Sequence, residues 1–383
     1  MRVKLGEVCD VRDGTHDSPS YVETGYPLVT SKNIVDGNLD LNVVNYIGKQ
    51  DYEKINERSK VDCGDIIMPM IGTIGNPFIV GDYTEFAIKN VALIKFPKEK
   101  ILNKYIFFYL QSDAFKRYVK AKNKGGTQKF LSLGDIRNME LVLLSLDEQI
   151  TIIKLLNQID NLIFLRKQQL SKLDELVKAR FVELFGDPNL NNKGWATGVI
   201  NDIGTCVAGA TPSTQVKEYW ENGTIPWMSS GEVNKGRVFE TDTKITQLGY
   251  DNASTKLVPS KTVVLAMAGQ GKTRGTAAIT EIELCTNQSI CSIVNNEKVN
   301  AEYLLHFLKL QYMELRGAST NTDGRGGLNL KIIGNYPIMI PPIELQNQFA
   351  AFVEQTDKSK LAVQKSLEQL ETLKKALMQQ YFG

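Results

Sequence analysis

Positions 156, 159, 163, 166, 170, 173, 177, 180 and 184 step along the chain by alternating threes and fours, and all are apolar except Arg166 and Arg180. That spacing puts one apolar stripe on one face of a helix, the seam of a coiled coil. Ser145-Leu-Asp-Glu148 stands just ahead of it and forms a capping box, in which the Ser hydroxyl accepts an orphan backbone N–H and Glu148 reaches back. The pattern then returns 197 positions later as Val353, Thr356, Lys360, Val363, Leu367, Leu370, Lys374, Leu377 and Tyr381. Segments 148–186 and 345–383 align without a gap, so that Glu148-Gln149 is echoed by Leu345-Gln346, Asp160 by Asp357, and Phe185-Gly186 by Phe382-Gly383. A helix of nearly 40 residues is about 60 Å long, which is the length of a spacer. Residues 187–194, with Pro188 and several Asn, end the first helix and reach at most about 28 Å fully extended. A second helix packed along the first must therefore run back antiparallel, and the chain reads as a pseudo-twofold internal repeat.

The parts between the helices repeat as well. Leu5-Gly-Glu-Val8 is echoed by Ile200-Asn-Asp-Ile203, Asp65-Ile-Ile-Met-Pro-Met70 by Thr262-Val-Val-Leu-Ala-Met267, and Phe86 to Ala92 by Leu284 to Ile290. The second of these motifs predicts a buried strand entering a Gly-rich loop, and the third predicts strand, polar pair, strand. Each half continues with a short helix (104–112; 301–309), a Gly-rich polar turn and a last strand (139–144; 336–340). The fold class is α+β: two similar globular domains, 1–144 and 187–341, separated by two long antiparallel coiled-coil helices, 145–186 and 342–383.

Composition narrows the chemistry. The 383 residues are 42% apolar and 23% charged, with a net charge of +2, the profile of a soluble globular protein of two domains. The longest apolar run, 66–80, is broken by Pro69, Gly72, Gly75 and Pro77, which argues against a membrane span. Five cysteines without a Cys-x-x-Cys pair, and a start without an apolar signal core, fit a reducing cytoplasm. His16 and His306 are the only histidines, too few for most metal or histidine-based catalytic schemes, so neither a metal site nor a catalytic set is expected.

Local charge says more than net charge. From Ala114 to Gly134 there are six basic residues, Lys116, Arg117, Lys120, Lys122, Lys124 and Lys129, interleaved with Phe115, Tyr118 and Phe130 and with no acid. From Asn252 to Thr280 the chain holds Lys256, Lys261, Lys272 and Arg274, again without an acid. Both read as phosphate-tracking stretches, although a solvated helix face carries the same charges. The candidate nucleic-acid contacts in the first half are Thr15, His16, Thr30, Ser31, Lys32, Asn33, Lys89, Asn90, Lys124, Thr127, Gln128 and Lys129. Those in the second half are Thr211, Ser213, Gln270, Lys272, Thr273, Arg274, Asn287, Gln288 and Arg325. Arg and Lys can grip guanine, Gln can read adenine, and Gly permits close backbone approach; for the Asn and Ser positions, plain turn chemistry is the competing reading. Ala266-Met-Ala-Gly-Gln-Gly-Lys-Thr273 also fits a permissive phosphate-loop pattern. A nucleotide-hydrolysing enzyme therefore stands as one alternative and a coiled-coil adaptor as another. Against the first, Arg274 to Thr280 reads as turn and strand, whereas a phosphate loop must open a helix.

In this order the motifs resemble those of the specificity subunits of type I restriction–modification enzymes. The resemblance rests on the doubled architecture, on Leu146-Asp-Glu-Gln-Ile150 and Ile343-Glu-Leu-Gln-Asn347, and on the helix endings at Phe185-Gly186 and Phe382-Gly383. Asp13-Gly-Thr-His16, Ala208-Gly-Ala-Thr-Pro-Ser213 and Gly269-Gln-Gly-Lys-Thr-Arg-Gly275 look like that family's target-recognition loops. The resemblance implies a non-catalytic subunit whose two domains are DNA target recognition domains, each reading one half of a bipartite asymmetric site in double-stranded DNA. It implies that the helices dock two modification (methyltransferase) subunits, with restriction subunits joining them. S-adenosylmethionine, ATP and Mg2+ then belong to those partners. The helix residues expected to carry spacing and docking are Leu156, Ile163, Leu170, Leu173, Val177, Leu184, Val353, Val363, Leu367, Leu370 and Leu377.

Overall fold

The structure is a computed structural model and describes residues 1–383 except Asp36, Thr73, Tyr83, Thr84, Lys98, Glu99, 124–129, Gln270 and 319–326. The chain divides into two compact units. One comprises Met1–Lys167 with Lys365–Gly383, the other Gln168–Gln364. Each unit thus holds one globular body and part of each long helix, Leu146–Phe185 and Ile343–Phe382.

In the first unit one antiparallel sheet runs Asp10–Asp13, Val91–Lys95, Ile66–Pro69, Phe78–Ile79, and another runs Ala87–Ile88, Tyr26–Val29, Asn45–Ile47, Tyr21–Val22. Ala87–Ile88 lies parallel to Tyr26–Val29. The second unit repeats the plan. Its sheet Gly204–Ala208, Ile290–Asn295, Val263–Ala266, Ala277–Thr280, Arg237–Val238 gains one edge strand, and Leu284–Thr286 lies parallel to Ile225–Met228 in the other. The strand, polar pair, strand motif is where the chain leaves one sheet for the other. Ala87–Ile88 and Val91–Lys95 belong to different sheets, as do Leu284–Thr286 and Ile290–Asn295. The apolar runs 66–69 and 263–266 are fully buried, as continuous apolar strands must be.

Each body is tied to its long helix in the same way. Gln149 is fully buried; its Oε1 accepts from Leu102 N at 2.9 Å and its Nε2 donates to Lys100 O at 3.1 Å and Leu144 O at 2.9 Å. Gln346, 197 residues on and also fully buried, accepts from Asn300 N at 2.8 Å and donates to Lys298 O at 3.2 Å and Pro341 O at 2.8 Å. One amide therefore satisfies three backbone groups that burial would otherwise orphan. The expected capping box is present, with Ser145 N donating to Glu148 at 2.8 Å and Glu148 N donating to the Ser145 hydroxyl at 3.3 Å.

The far ends of the helices are seated on aromatics. Phe382 packs on Tyr105 and Tyr109 in the first unit, with ring centroids 5.2 and 6.1 Å apart. In the second unit Phe185 packs on Tyr303 and Phe349 at 4.8 and 5.6 Å. The two tyrosines at the centre of these seats place their hydroxyls alike, Tyr105 donating to Val142 O and Tyr303 to Met339 O, both at 2.9 Å. Within each unit the helices run antiparallel: Asp160 pairs with Lys374 and Lys167 with Glu371 in the first, and Asp174 with Lys360 in the second. The carbonyls ending the first long helix are capped from the connector, since Trp195 Nε1 donates to Phe185 O at 2.9 Å and Lys193 Nζ to Leu184 O at 3.2 Å. Replacing Gln149 or Gln346 by Leu leaves three backbone groups without their amide partner. Each substitution should destabilise its own unit by about 3 kcal/mol, read by hydrogen exchange under increasing urea; a loss below about 1 kcal/mol would assign the anchoring to apolar packing alone.

Candidate nucleic-acid interface

Three loop segments converge in the first unit because the sheet switch draws them together. Thr15 bridges Lys89, Asn90 N donates to Thr15 O at 3.2 Å, and Lys89 N donates to Val29 O at 2.9 Å. A Cβ on Gly14 would collide with the Ile88 carbonyl, so only glycine lets these strands approach. The second unit builds the same junction: a Cβ on Gly209 would collide with Thr286 O, Asn287 N donates to Met228 O at 3.0 Å, and the Thr211 hydroxyl donates to Gln288 Oε1 at 2.5 Å. The Gly-rich loop adjoins this junction, with Met267 N donating to Ser289 O at 2.8 Å. Thr15, His16, Thr30, Ser31, Lys32, Asn33, Lys89 and Asn90 are thus brought to one loop cluster. Thr211, Lys272, Thr273, Arg274, Asn287 and Gln288 are brought to another, with Ser213 two residues beyond Thr211.

Their side chains divide by what they already hold. His16 is exposed and bridges Asp13 Oδ2 and Asn90 Oδ1, both at 2.8 Å, while Arg58 pairs with the other oxygen of Asp13. Asp13 is buried, so His16 is held to the protein at both ring nitrogens. Lys89 Nζ donates to the Ser18 hydroxyl at 2.8 Å. Lys32 and Lys272 are exposed. Asn33, in contrast, is buried; its Nδ2 donates to Asp40 O at 3.1 Å and Val43 O at 3.0 Å, and its Oδ1 accepts from Thr30 N and the Thr30 hydroxyl, both at 3.0 Å. That amide is spent inside the loop, which is turn chemistry. Lys124, Thr127, Gln128, Lys129, Gln270 and Arg325 lie outside the described residues.

The acid-free stretches look different once folded. Lys116 pairs with Asp113 and Lys122 with Asp135, each at 3.0 Å, and Lys261 pairs with Glu281 at 2.5 Å. Each acid stands just beyond the acid-free stretch and pairs with one lysine of it. The Asp135 contact also holds the Lys122 ammonium above its ordinary pKa, and the Ser132 hydroxyl with Lys122 holds Asp135 below the usual carboxylate range.

A family model described as the type I restriction modification DNA specificity domain matches residues 1–175 and again 192–372. The chain belongs to this family. Among curated members of the specificity family, it is 24% identical to the EcoR124I/EcoR124II specificity subunit of Escherichia coli over 43% of this chain and 40% of that protein. This match therefore spans about two fifths of that relative's length. It is 23% identical to the putative MjaX specificity subunit of Methanocaldococcus jannaschii over 96% of this chain and 89% of that one. Two solved structures share the fold over the whole of this chain: a type I restriction-modification S subunit from M. genitalium (14% identity, 96% of that chain, TM-score 0.60), and a chain from a study of complex assembly and conformational transition in a type I R-M system (17%, 97%, TM-score 0.65).

For a specificity-family chain the remaining alternatives lose their support. The loop after Val263–Ala266 returns as the antiparallel strand Ala277–Thr280. The segment 266–273 therefore opens a strand and not a helix, and the phosphate-loop reading fails for want of its anion site. Among the described residues there is no group of three or more metal-ligating side chains, and no helix is long and apolar enough to cross a membrane.

The helix residues expected to carry spacing and docking differ in burial. Leu156, Val177, Val353, Val363 and Leu367 are buried, and Ile163, Leu170, Leu173, Leu184, Leu370 and Leu377 are half-buried. The five buried ones are packed inside the chain. The apolar side chains that the helices expose are others, Leu146, Ile150, Leu162, Phe164, Leu165, Leu176, Val182, Leu361 and Leu373. The seam periodicity found the inner stripe, and no comparable pattern marks the outer one. Asn33→Ala should destabilise the first unit by about 2 kcal/mol, while Lys32→Ala stays within about 0.5 kcal/mol. Thermal denaturation of both variants checks this, and equal effects would mean that Asn33 is not the internal brace described.

Proposed function

We propose that the chain is the sequence-reading subunit of a type I restriction–modification complex, each globular body reading one half of a bipartite, gapped site in double-stranded DNA. One observation carries this reading above the rest: the two bodies share a scaffold down to the buried glutamine and the tyrosine seat, while the loops at their sheet switches differ in chemistry. The first cluster offers Thr15, His16, Thr30, Ser31, Lys32, Lys89 and Asn90; the second offers Thr211, Lys272, Thr273, Arg274, Asn287 and Gln288. One framework presenting two reading surfaces suits an asymmetric target.

The long helices set the separation of the two readers and dock two modification subunits through their exposed apolar residues, with restriction subunits joining that assembly. The chain works in the cytoplasm and catalyses nothing itself. S-adenosylmethionine, ATP and Mg2+ are bound by the partner subunits.

Lys272→Ala and Arg274→Ala, in the chain assembled with its modification subunits, should relax base preference in only one of two half-sites recovered by selection from random duplexes. Removing a side chain that bonds directly to a base should cost about 1–3 kcal/mol of discrimination; equal relaxation in both half-sites would sink the assignment of one reader to one half. Phe164→Ser combined with Leu165→Ser should lower the affinity for the modification subunit at least tenfold without lowering thermal stability, measured by analytical ultracentrifugation and calorimetry. Undiminished assembly would remove the docking role from that face.

A further inference from the structure

The loop that carries Lys272, Thr273 and Arg274 is held from outside itself. Arg316 Nη1 donates to Gly271 O at 2.8 Å, to Arg274 O at 3.1 Å and to the Tyr312 hydroxyl at 3.0 Å, and that hydroxyl donates to Lys272 O at 2.9 Å. The guanidinium also lies 5.4 Å from the centroid of the Tyr312 ring. Three carbonyls of one short loop are thereby fixed by two side chains of a single helix, Tyr312–Ala318. Charge-assisted bonds from a planar guanidinium are strong and directional, and a loop rich in glycine has the most backbone freedom for them to remove.

The first unit uses the same place differently. Leu131 N donates to Met70 O at 2.9 Å and Leu328 N to Met267 O at 3.0 Å, which puts the two Gly-rich loops in equivalent positions. Counting the 197-residue offset, Tyr312 stands where the first half has Phe115, and Arg316 where it has Val119. Both first-half residues are buried apolar side chains. The contact survives the change of chemistry: a Cβ on Gly75 would lie 3.2 Å from the Phe115 ring, and one on Gly275 would lie 3.2 Å from Arg316 Cγ and 3.6 Å from the Tyr312 ring. Both glycines have positive φ, +90° and +85°, so the helix presses on a turn that only glycine makes without strain.

We infer that Tyr312 and Arg316 are positioning residues for specificity, setting the conformation in which the second body presents its Gly-rich loop to DNA, as Phe115 does by apolar packing in the first. This rests on the reading of that loop as a DNA-contacting one. The pair acts through loop carbonyls and not through the nucleic acid, so its loss frees the loop while removing none of the side chains that the loop itself offers to DNA.

The test uses the full chain assembled with its modification subunits. Arg316→Gln should raise amide exchange across 268–276 by tenfold or more and lower discrimination at the second half-site about tenfold. The first half-site and the slope of log affinity against log salt should stay unchanged. A direct phosphate contact would instead flatten that slope by about 0.9, and that result would overturn the positioning role. Arg316→Lys keeps a donor within reach of the same carbonyls and should recover part of the discrimination, while Tyr312→Phe, which loses one bond to Lys272 O, should show a smaller effect of the same kind. Unchanged exchange and discrimination in Arg316→Gln, alongside a half-site defect in Lys272→Ala, would overturn this inference alone. No half-site effect from either substitution would overturn the DNA reading of the loop itself.

Discussion

Two buried glutamines hold the organisation of this chain together. A long helix emerging from a globular body acts as a spacer only if its first turn cannot pivot, and the first turn of a helix is where backbone groups lack intrahelical partners. Gln149 and Gln346 each bind three backbone groups of the surrounding connections, from a position with no exposure to solvent. Removing a buried amide takes the partner from three backbone groups at once, and any of them left unsatisfied costs its desolvation. The start of each long helix is thus fixed to the globular body it leaves.

The sheet switch is the second constraint. Where Ala87–Ile88 and Val91–Lys95 join different sheets, the intervening Lys89-Asn90 has no ladder of its own, and Asn90 takes a positive φ of 56°. The corresponding turn of the second unit is Asn287-Gln288-Ser289. Polar side chains collect at these points because the backbone leaves the sheet there, and close packing of neighbouring loops requires Gly14 and Gly209. The scaffold therefore forces loops together in the same way twice and leaves their side chains free to diverge. This separation of frame from surface is what a subunit needs if it must read two different half-sites.

The legibility of the sequence followed the range of each interaction. The helix seam, the capping box at Ser145 and the buried strands are local periodic signals, and the structure contains all of them. The gapless echo pointed at Gln149 and Gln346, but a glutamine in a helix is ordinary, and only the fold shows that its partners are Leu102 and Asn300. Charge windows told less than the folded chain for the opposite reason: Asp113, Asp135 and Glu281 lie one residue outside them and pair with Lys116, Lys122 and Lys261 within. Asn33 had the composition of a reader and the contacts of a brace. The Arg316 clamp spans more than 40 residues of sequence to reach its loop, a distance at which no local pattern announces a partner.

On the proposed function, two different readers on one frame dictate the form of the recognised sequence. Methylome sequencing of cells carrying this chain with its modification subunits should return one asymmetric motif made of two short specified blocks. Their centres should lie about one helical turn apart, roughly 34 Å, with unspecified bases between them. A single uninterrupted motif, or two identical blocks related by symmetry, would contradict that arrangement.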